Sequence, residues 1–180
     1  MVFNATNLVT DLKDYVSSHL AYAEALKGKK EEFLQKKENP NKWSVLECLE
    51  HLNLYASFYN IEVKKRIELS NSKAKEVFKS GFIANKVILD LLPKEDMRTM
   101  QTFKSKNPIH TSLNKETVLN DFIRSQKELL VLLDKANEKD LSKIKTSLTI
   151  PFFKFRLGDT FRFVIYHNER HIMQARKVIR

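Results

Sequence analysis

The chain has a single cysteine, Cys48, so no intramolecular disulfide can form, and a lone thiol suits a reducing compartment. Glycine and proline are nearly missing, with three and four residues in 180, which leaves few breaks in long Lys-, Glu-, Leu- and Ala-rich stretches and favours helices. No apolar run approaches the roughly 20 residues of a membrane-spanning helix. The start, Met-Val-Phe-Asn-Ala-Thr-Asn-Leu, lacks the basic end and apolar core of a secretory signal. A cytoplasmic protein with no membrane partner is therefore expected. Clustered charge is also lacking. The net charge is +10, yet no basic run exceeds Lys29-Lys30, Lys36-Lys37 or Lys64-Lys65-Arg66. A nucleic-acid footprint is concentrated on one face, so the scattered excess reads as a solvated surface and argues against that partner. With no repeat, low-complexity tract or linker, one domain spanning residues 1–180 is expected, long enough to bury a core without a staple.

What remains is helical periodicity. Leu8, Leu12, Tyr15, Val16, Leu20 and Ala23 recur at three- and four-residue steps and predict a helix from near Thr6 to Lys37, with Gly28 a point of bending or breakage. After the turn at Asn39-Pro40-Asn41, Ser44-x-x-Glu47 has the form of a capping box at the head of a second helix, with Val45, Leu49, Leu52, Ala56, Tyr59 and Val63 as its stripe. A third, shorter helix is predicted from about Lys73 or Gly81 to Leu92, stopped by Pro93. The polar stretch from Lys94 to Ser112, containing Pro108, reads as a long crossing loop, and a loop of that length is suspected of lining a site. Asn114 caps a fourth helix carrying Val118, Phe122, Leu129, Leu132 and Leu133. Residues Thr146 to Leu157 read as extended around Pro151, and Asp159 is predicted to cap a final helix whose stripe is Phe161, Val164, Ile165, Ile172, Ala175 and Ile179. The sum is an all-α protein: a four-helix bundle with an extra short helix and a long crossover loop.

Three histidines stand out on this frame. His167 and His171 are one turn apart and share a face of the last helix, with Gln174 on the same edge and Arg170 beside them. His51 lies at the edge of the second helix's stripe, near Cys48, Tyr55 and Phe58. Neutral imidazoles from two facing helices can hold a transition metal and leave positions open for water or substrate. His-x-x-x-His alone is a weak motif, since a histidine on an apolar shoulder is commonly a core residue satisfied by backbone or water.

The wider pattern resembles the DinB-like (DinB/YfiT-like) superfamily. Trp43-Ser44 is followed seven residues later by His51-Leu52, then by a long loop with Pro108, then by Gly158 opening a helix with His167-x-x-Arg170-His171-x-x-Gln174. The likeness covers nearly the whole chain, and its specificity lies in order and spacing. It implies a four-helix bundle, frequently a homodimer, with His51, His167 and His171 binding a divalent metal ion (Zn, Ni or Fe). Some relatives are transferases or isomerases that use low-molecular-weight thiols, and many have no known activity.

The expected function is thus a metal-dependent enzyme acting on a small-molecule substrate, either a low-molecular-weight-thiol S-transferase or a hydrolase. The alternative is a non-catalytic helical-bundle module that binds a ligand or protein and keeps its histidines for structure. Arg170 and Gln174 are candidates for substrate contacts or for support of the metal ligands, against surface pairing with nearby acids. Glu47 either orients His51 or caps its helix; Tyr55 either donates a proton or packs. Cys48 lacks an activating partner, His19 and His110 read as incidental, and Trp43 as a core plug.

Overall fold

The computed structural model describes residues 1–92, 102–109 and 111–178. Its helices are α1 (Ala5–Leu26), α2 (Glu31–Leu34), α3 (Val45–Glu68), α4 (Phe82–Leu91), α5 (Lys115–Asn137) and α6 (Leu157–Val178), with a 3₁₀ turn at Lys104–Lys106. Short strands β1 (Val2–Asn4) and β2 (Val77–Lys79) pair antiparallel, as do β3 (Lys145–Ser147) and β4 (Lys154–Arg156). The all-α reading holds, and these hairpin-sized pairings are additions to it.

Three of the four long helices begin where a side chain replaces a missing backbone acceptor. Asn4 Oδ1 accepts the Asn7 N–H at 3.0 Å, and Asn114 Oδ1 accepts the Thr117 N–H at 2.9 Å. Ser44 and Glu47 close the predicted capping box, Ser44 Oγ accepting from the Glu47 N–H and Glu47 Oε2 from the Ser44 N–H. The apolar stripes then dictate the packing: α1 and α3 each lie against α5 and α6, so the four long helices contact one another in the cyclic order α1, α5, α3, α6. Leu12, Val16, Val63, Leu133 and Ile165 meet in one buried cluster and Leu34, Leu49, Phe122 and Ile172 in another.

Several boundaries differ from the sequence reading. The first helix does not reach Lys37. It ends at Leu26, where Lys115 Nζ donates to the carbonyls of both Lys27 and Lys29 at 2.7 Å, and the chain turns at Gly28 before the single turn of α2 buries Leu34. The third helix takes the later of its two expected starts because Val77–Lys79 is drawn into pairing with the N-terminal strand. The extended segment forms a β3–β4 hairpin, and its last expected residue, Leu157, already belongs to α6. Pro93 and Ile179 fall outside the described residues.

Asp159 is the clearest correction. It lies inside the first turn of α6, fully buried, and its carboxylate serves another helix: Oδ2 accepts the N–H of Gly81, the N-cap of α4, at 2.8 Å, and Oδ1 accepts from Ser80 Oγ at 2.5 Å. Arg162, 2% exposed, approaches the same carboxylate at 3.4 Å and donates to Asn85 Oδ1 at 3.0 Å. Asp159 therefore pins α4 to α6. Beside it, a Cβ on Gly158 would stand 2.7 Å from the Phe78 ring, so a glycine is required where β2 crosses the head of α6.

Candidate metal centre

α3 and α6 run antiparallel along the site: Trp43 meets His171, His51 meets His167, and Tyr59 meets Phe163. Spacing within α6 puts His167 and His171 on one face, and the opposed course of α3 brings His51 between them, with ring centroids 5.1 and 4.5 Å away. Each residue offers one nitrogen, and the three nitrogens lie within 4.8 Å of one another. His51 is fully buried; His167 and His171 are half-buried.

The outer hydrogen bonds decide which nitrogen faces inward. His51 Nδ1 donates to the Lys106 carbonyl at 2.6 Å, so its Nε2 lone pair points at His167. His171 Nδ1 donates to Gln174 Oε1 at 3.0 Å, which likewise leaves its Nε2 for the centre. Support of this kind is what metal-bound histidines ordinarily receive. His51 Nε2 faces His167 Nε2 at 3.2 Å, a contact that a shared proton or a shared cation satisfies.

The donor set fits a divalent ion. With nitrogens about 2.1 Å from the metal, neighbouring donors sit roughly 3.0–3.4 Å apart for angles between octahedral and tetrahedral, and the His51–His167 pair already has that separation. The imidazoles are also kept neutral, as ligation requires. Burial lowers His51 to about 4, with the Lys106 cation adding to it. Burial and the His51 ring bring His171 to about 3, and burial with the two neighbouring rings drives His167 well below its usual range.

Other expected residues fall into place unequally. Arg170 and Gln174 both line the cavity, Gln174 in the supporting role just described. Tyr55 packs its ring against His51 and His167 at 4.9 and 4.8 Å, with Lys106 Nζ over its other side. Glu47 is spent elsewhere, on the Ser44 N–H and on Lys37 Nζ at 2.6 Å. Cys48 is buried among Ala23, Leu46 and Leu49 and stands apart from the centre. His19 pairs with Glu169 at 2.9 Å, away from the cluster, and His110 lies outside the described residues.

Trp43 packs against the buried cluster around Leu34 and Leu49, as expected of a plug, but that is not its whole role. It is a half-buried wall of the site, tilted against His51 at 4.7 Å and His171 at 5.5 Å, with Nε1–H donating to Asn107 Oδ1. Two participants had no sequence signal beyond loop length and a helical step. Lys106 supplies the carbonyl that orients His51, and Phe163 stacks parallel on His167 at 6.1 Å. The part of the crossing loop that is described, residues 102–109, does line the cavity, through Thr102, Phe103, Asn107 and Ile109.

A family model described as the DinB superfamily matches residues 18–175, a span that holds all three histidines. The chain belongs to the DinB superfamily. No curated protein and no solved structure shows significant similarity to it. For this DinB-superfamily chain, the cluster of His51, His167 and His171 opens into a cavity of about 1490 Å³ between α3, α4, α6 and the β3–β4 hairpin. Among the described residues no helix is long and apolar enough to cross a membrane.

Proposed function

We propose that this chain is a divalent-metal-dependent enzyme acting on small molecules, either transferring a low-molecular-weight thiol or hydrolysing its substrate. The observation that carries the reading is the convergence of three neutral imidazoles, two of them oriented from behind, on one wall of a large cavity. His51, His167 and His171 would hold Zn, Ni or Fe. Held there, a divalent ion would lower the pKa of a bound thiol or water enough to supply a nucleophile at neutral pH.

The protein's own groups supply the rest. The Lys106 carbonyl and Gln174 amide keep the rings turned inward, and Trp43 and Phe163 shield the imidazoles from bulk water. Burial, helped by Tyr59, raises the Tyr55 phenol above its ordinary value, so it stays protonated beside the histidine cluster. Arg170 adds positive charge to the wall that an anionic substrate would meet.

Elemental analysis of protein purified without a His-tag tests this, comparing wild type with His171→Ala. About one equivalent of Zn, Ni or Fe in wild type, lost in the variant, supports the site and justifies a thiol-transfer and hydrolysis screen. No metal in either protein, even after incubation with Zn²⁺ and Ni²⁺, leaves the non-catalytic module as the reading.

A further inference from the structure

The cavity is not uniform along its length, and its asymmetry follows the antiparallel course of α3 and α6. Among the described residues, the wall towards the C-terminal end of α6 and the loop before α3 carries Lys36, Lys37, Lys42 and Lys177 against the carboxylate of Glu38. Lys37 is already paired with Glu47, which leaves the balance at that end strongly positive. Towards the other end the wall is apolar: Tyr59, Val87, Leu148, Phe153, Phe155 and Phe163, drawn from α3, α4, the β3–β4 hairpin and α6. The histidine cluster lies between these ends.

The helical rise fixes the scale. Tyr59 lies eight residues beyond His51 on α3, so the apolar arm extends about 12 Å from the cluster. Lys177 lies six residues beyond His171 on α6, which places the cationic end about 9 Å the other way. The total volume exceeds the roughly 300–1,000 Å³ usual for a small-molecule site, leaving room for an extended ligand.

We propose that the site takes an amphipathic anion: an apolar chain in the arm beside α4, a carboxylate or phosphate at the lysines, and the reacting atom of the ligand in its middle, opposite the histidines. Apolar walls gain by burying methylenes, and lysines that outnumber the described carboxylates beside them gain by pairing with an anion, so the two ends select for different halves of one molecule. The assignment of the middle to the reacting atom rests on the metal-centre reading; the two-ended preference does not.

Calorimetric titration of the full chain with S-octylglutathione, S-methylglutathione and octyl glucoside separates the two ends. S-octylglutathione has an anionic head, a central sulfur and an eight-carbon chain; the other two lack the chain and the anion respectively. The octyl conjugate should bind at least about thirtyfold tighter than the methyl conjugate, as burial of two or three methylenes supplies, and about tenfold or more tighter than the glucoside. Lys42→Glu/Lys177→Glu should weaken both conjugates by about tenfold or more while leaving the glucoside unchanged. Val87→Glu, or Val87→Ser should the first variant unfold, should weaken the two octyl ligands and leave the methyl conjugate unchanged. Equal binding of the two conjugates, or indifference to the lysine substitutions, overturns the proposal. The titration is run on metal-loaded and on chelator-treated protein with metal content measured alongside. Absent metal with the chain-length preference intact defeats the enzyme reading alone; bound metal with no preference defeats this one alone.

Discussion

Replacing Asp159 with alanine should be among the most damaging single changes available in this chain, although Asp159 touches neither the histidines nor the cavity. Its carboxylate is fully buried and accepts from Ser80 Oγ at 2.5 Å and from the Gly81 N–H at 2.8 Å, with Arg162 at 3.4 Å. Loss of the Gly81 contact leaves that N–H without its acceptor, a cost of about 1 kcal/mol. The larger part is Arg162, which is 2% exposed and would keep only neutral partners, Ser80 Oγ and Asn85 Oδ1, each at 3.0 Å. A buried charge stripped of its counter-ion costs about 3–5 kcal/mol. For a chain of 180 residues a combined loss of about 4–6 kcal/mol lowers Tm by roughly 10–20 °C, read by circular dichroism during heating. Asp159→Ala/Arg162→Met should recover most of the loss, because the second change removes the stranded charge. Since α4 supplies Ile83, Val87 and Leu91 to the cavity, the single variant should also bind S-octylglutathione more weakly while keeping its metal. A destabilisation below about 1 kcal/mol, or a double variant no more stable than the single, would show that the pair is not energetically coupled in this way.

Other outcomes follow from the same packing. Gly158→Ala should cost about 1–3 kcal/mol in urea denaturation, since a Cβ there meets the fully buried Phe78 ring at 2.7–2.9 Å; a neutral result would mean that β2 can move aside freely. Burial acts to raise the Asp140 carboxyl, but hydrogen bonds from Lys75 and from the Ser142 and Lys143 N–H groups outweigh it and hold the pKa below its ordinary value. A depressed carboxylate contributes stability above its unfolded pKa of about 3.9 and loses it as pH falls through the folded value. Asp140→Asn should therefore be less stable than wild type at pH 6, with the gap closing below about pH 3; a gap independent of pH refutes the charge argument. Burial, followed by the nearby Glu47 carboxylate, pushes the Cys48 thiol far above its ordinary value, so a thiol reagent should label Cys48 only as the chain unfolds, and rapid labelling of the native protein would contradict that burial.

Features set within a turn or two of helix were legible in the sequence. The Ser44–Glu47 capping box, the Asn114 cap, the stripe positions of α3 and α5 and the shared face of His167 and His171 all depend on hydrogen bonds and side-chain directions between residues four or fewer apart. That locality also explains the errors. Asp159 stands where an N-cap residue would stand, yet its partners, Ser80 and Gly81, are 79 and 78 residues away. Glu47 is open to two readings, of which capping is the simpler, and its oxygens go to the Ser44 N–H and to Lys37; Trp43 read as core because an indole at a helix start has no sequence mark that separates a packed wall from a cavity wall.

The list of three histidines was available from spacing and from the family resemblance, but their meeting was not. His51 and His167 are separated by 116 residues, and the carbonyl that orients His51 comes from Lys106, 55 residues on. The cavity's two-ended wall is likewise assembled from a loop, three helices and a hairpin, none of which carries the asymmetry alone. Periodicity and caps commit a segment to helix because their partners are always within reach along the chain. Which imidazoles converge, which carboxylate caps which helix and where cations gather depend on how apolar stripes dock across long sequence separations, and that is settled only when the core is packed.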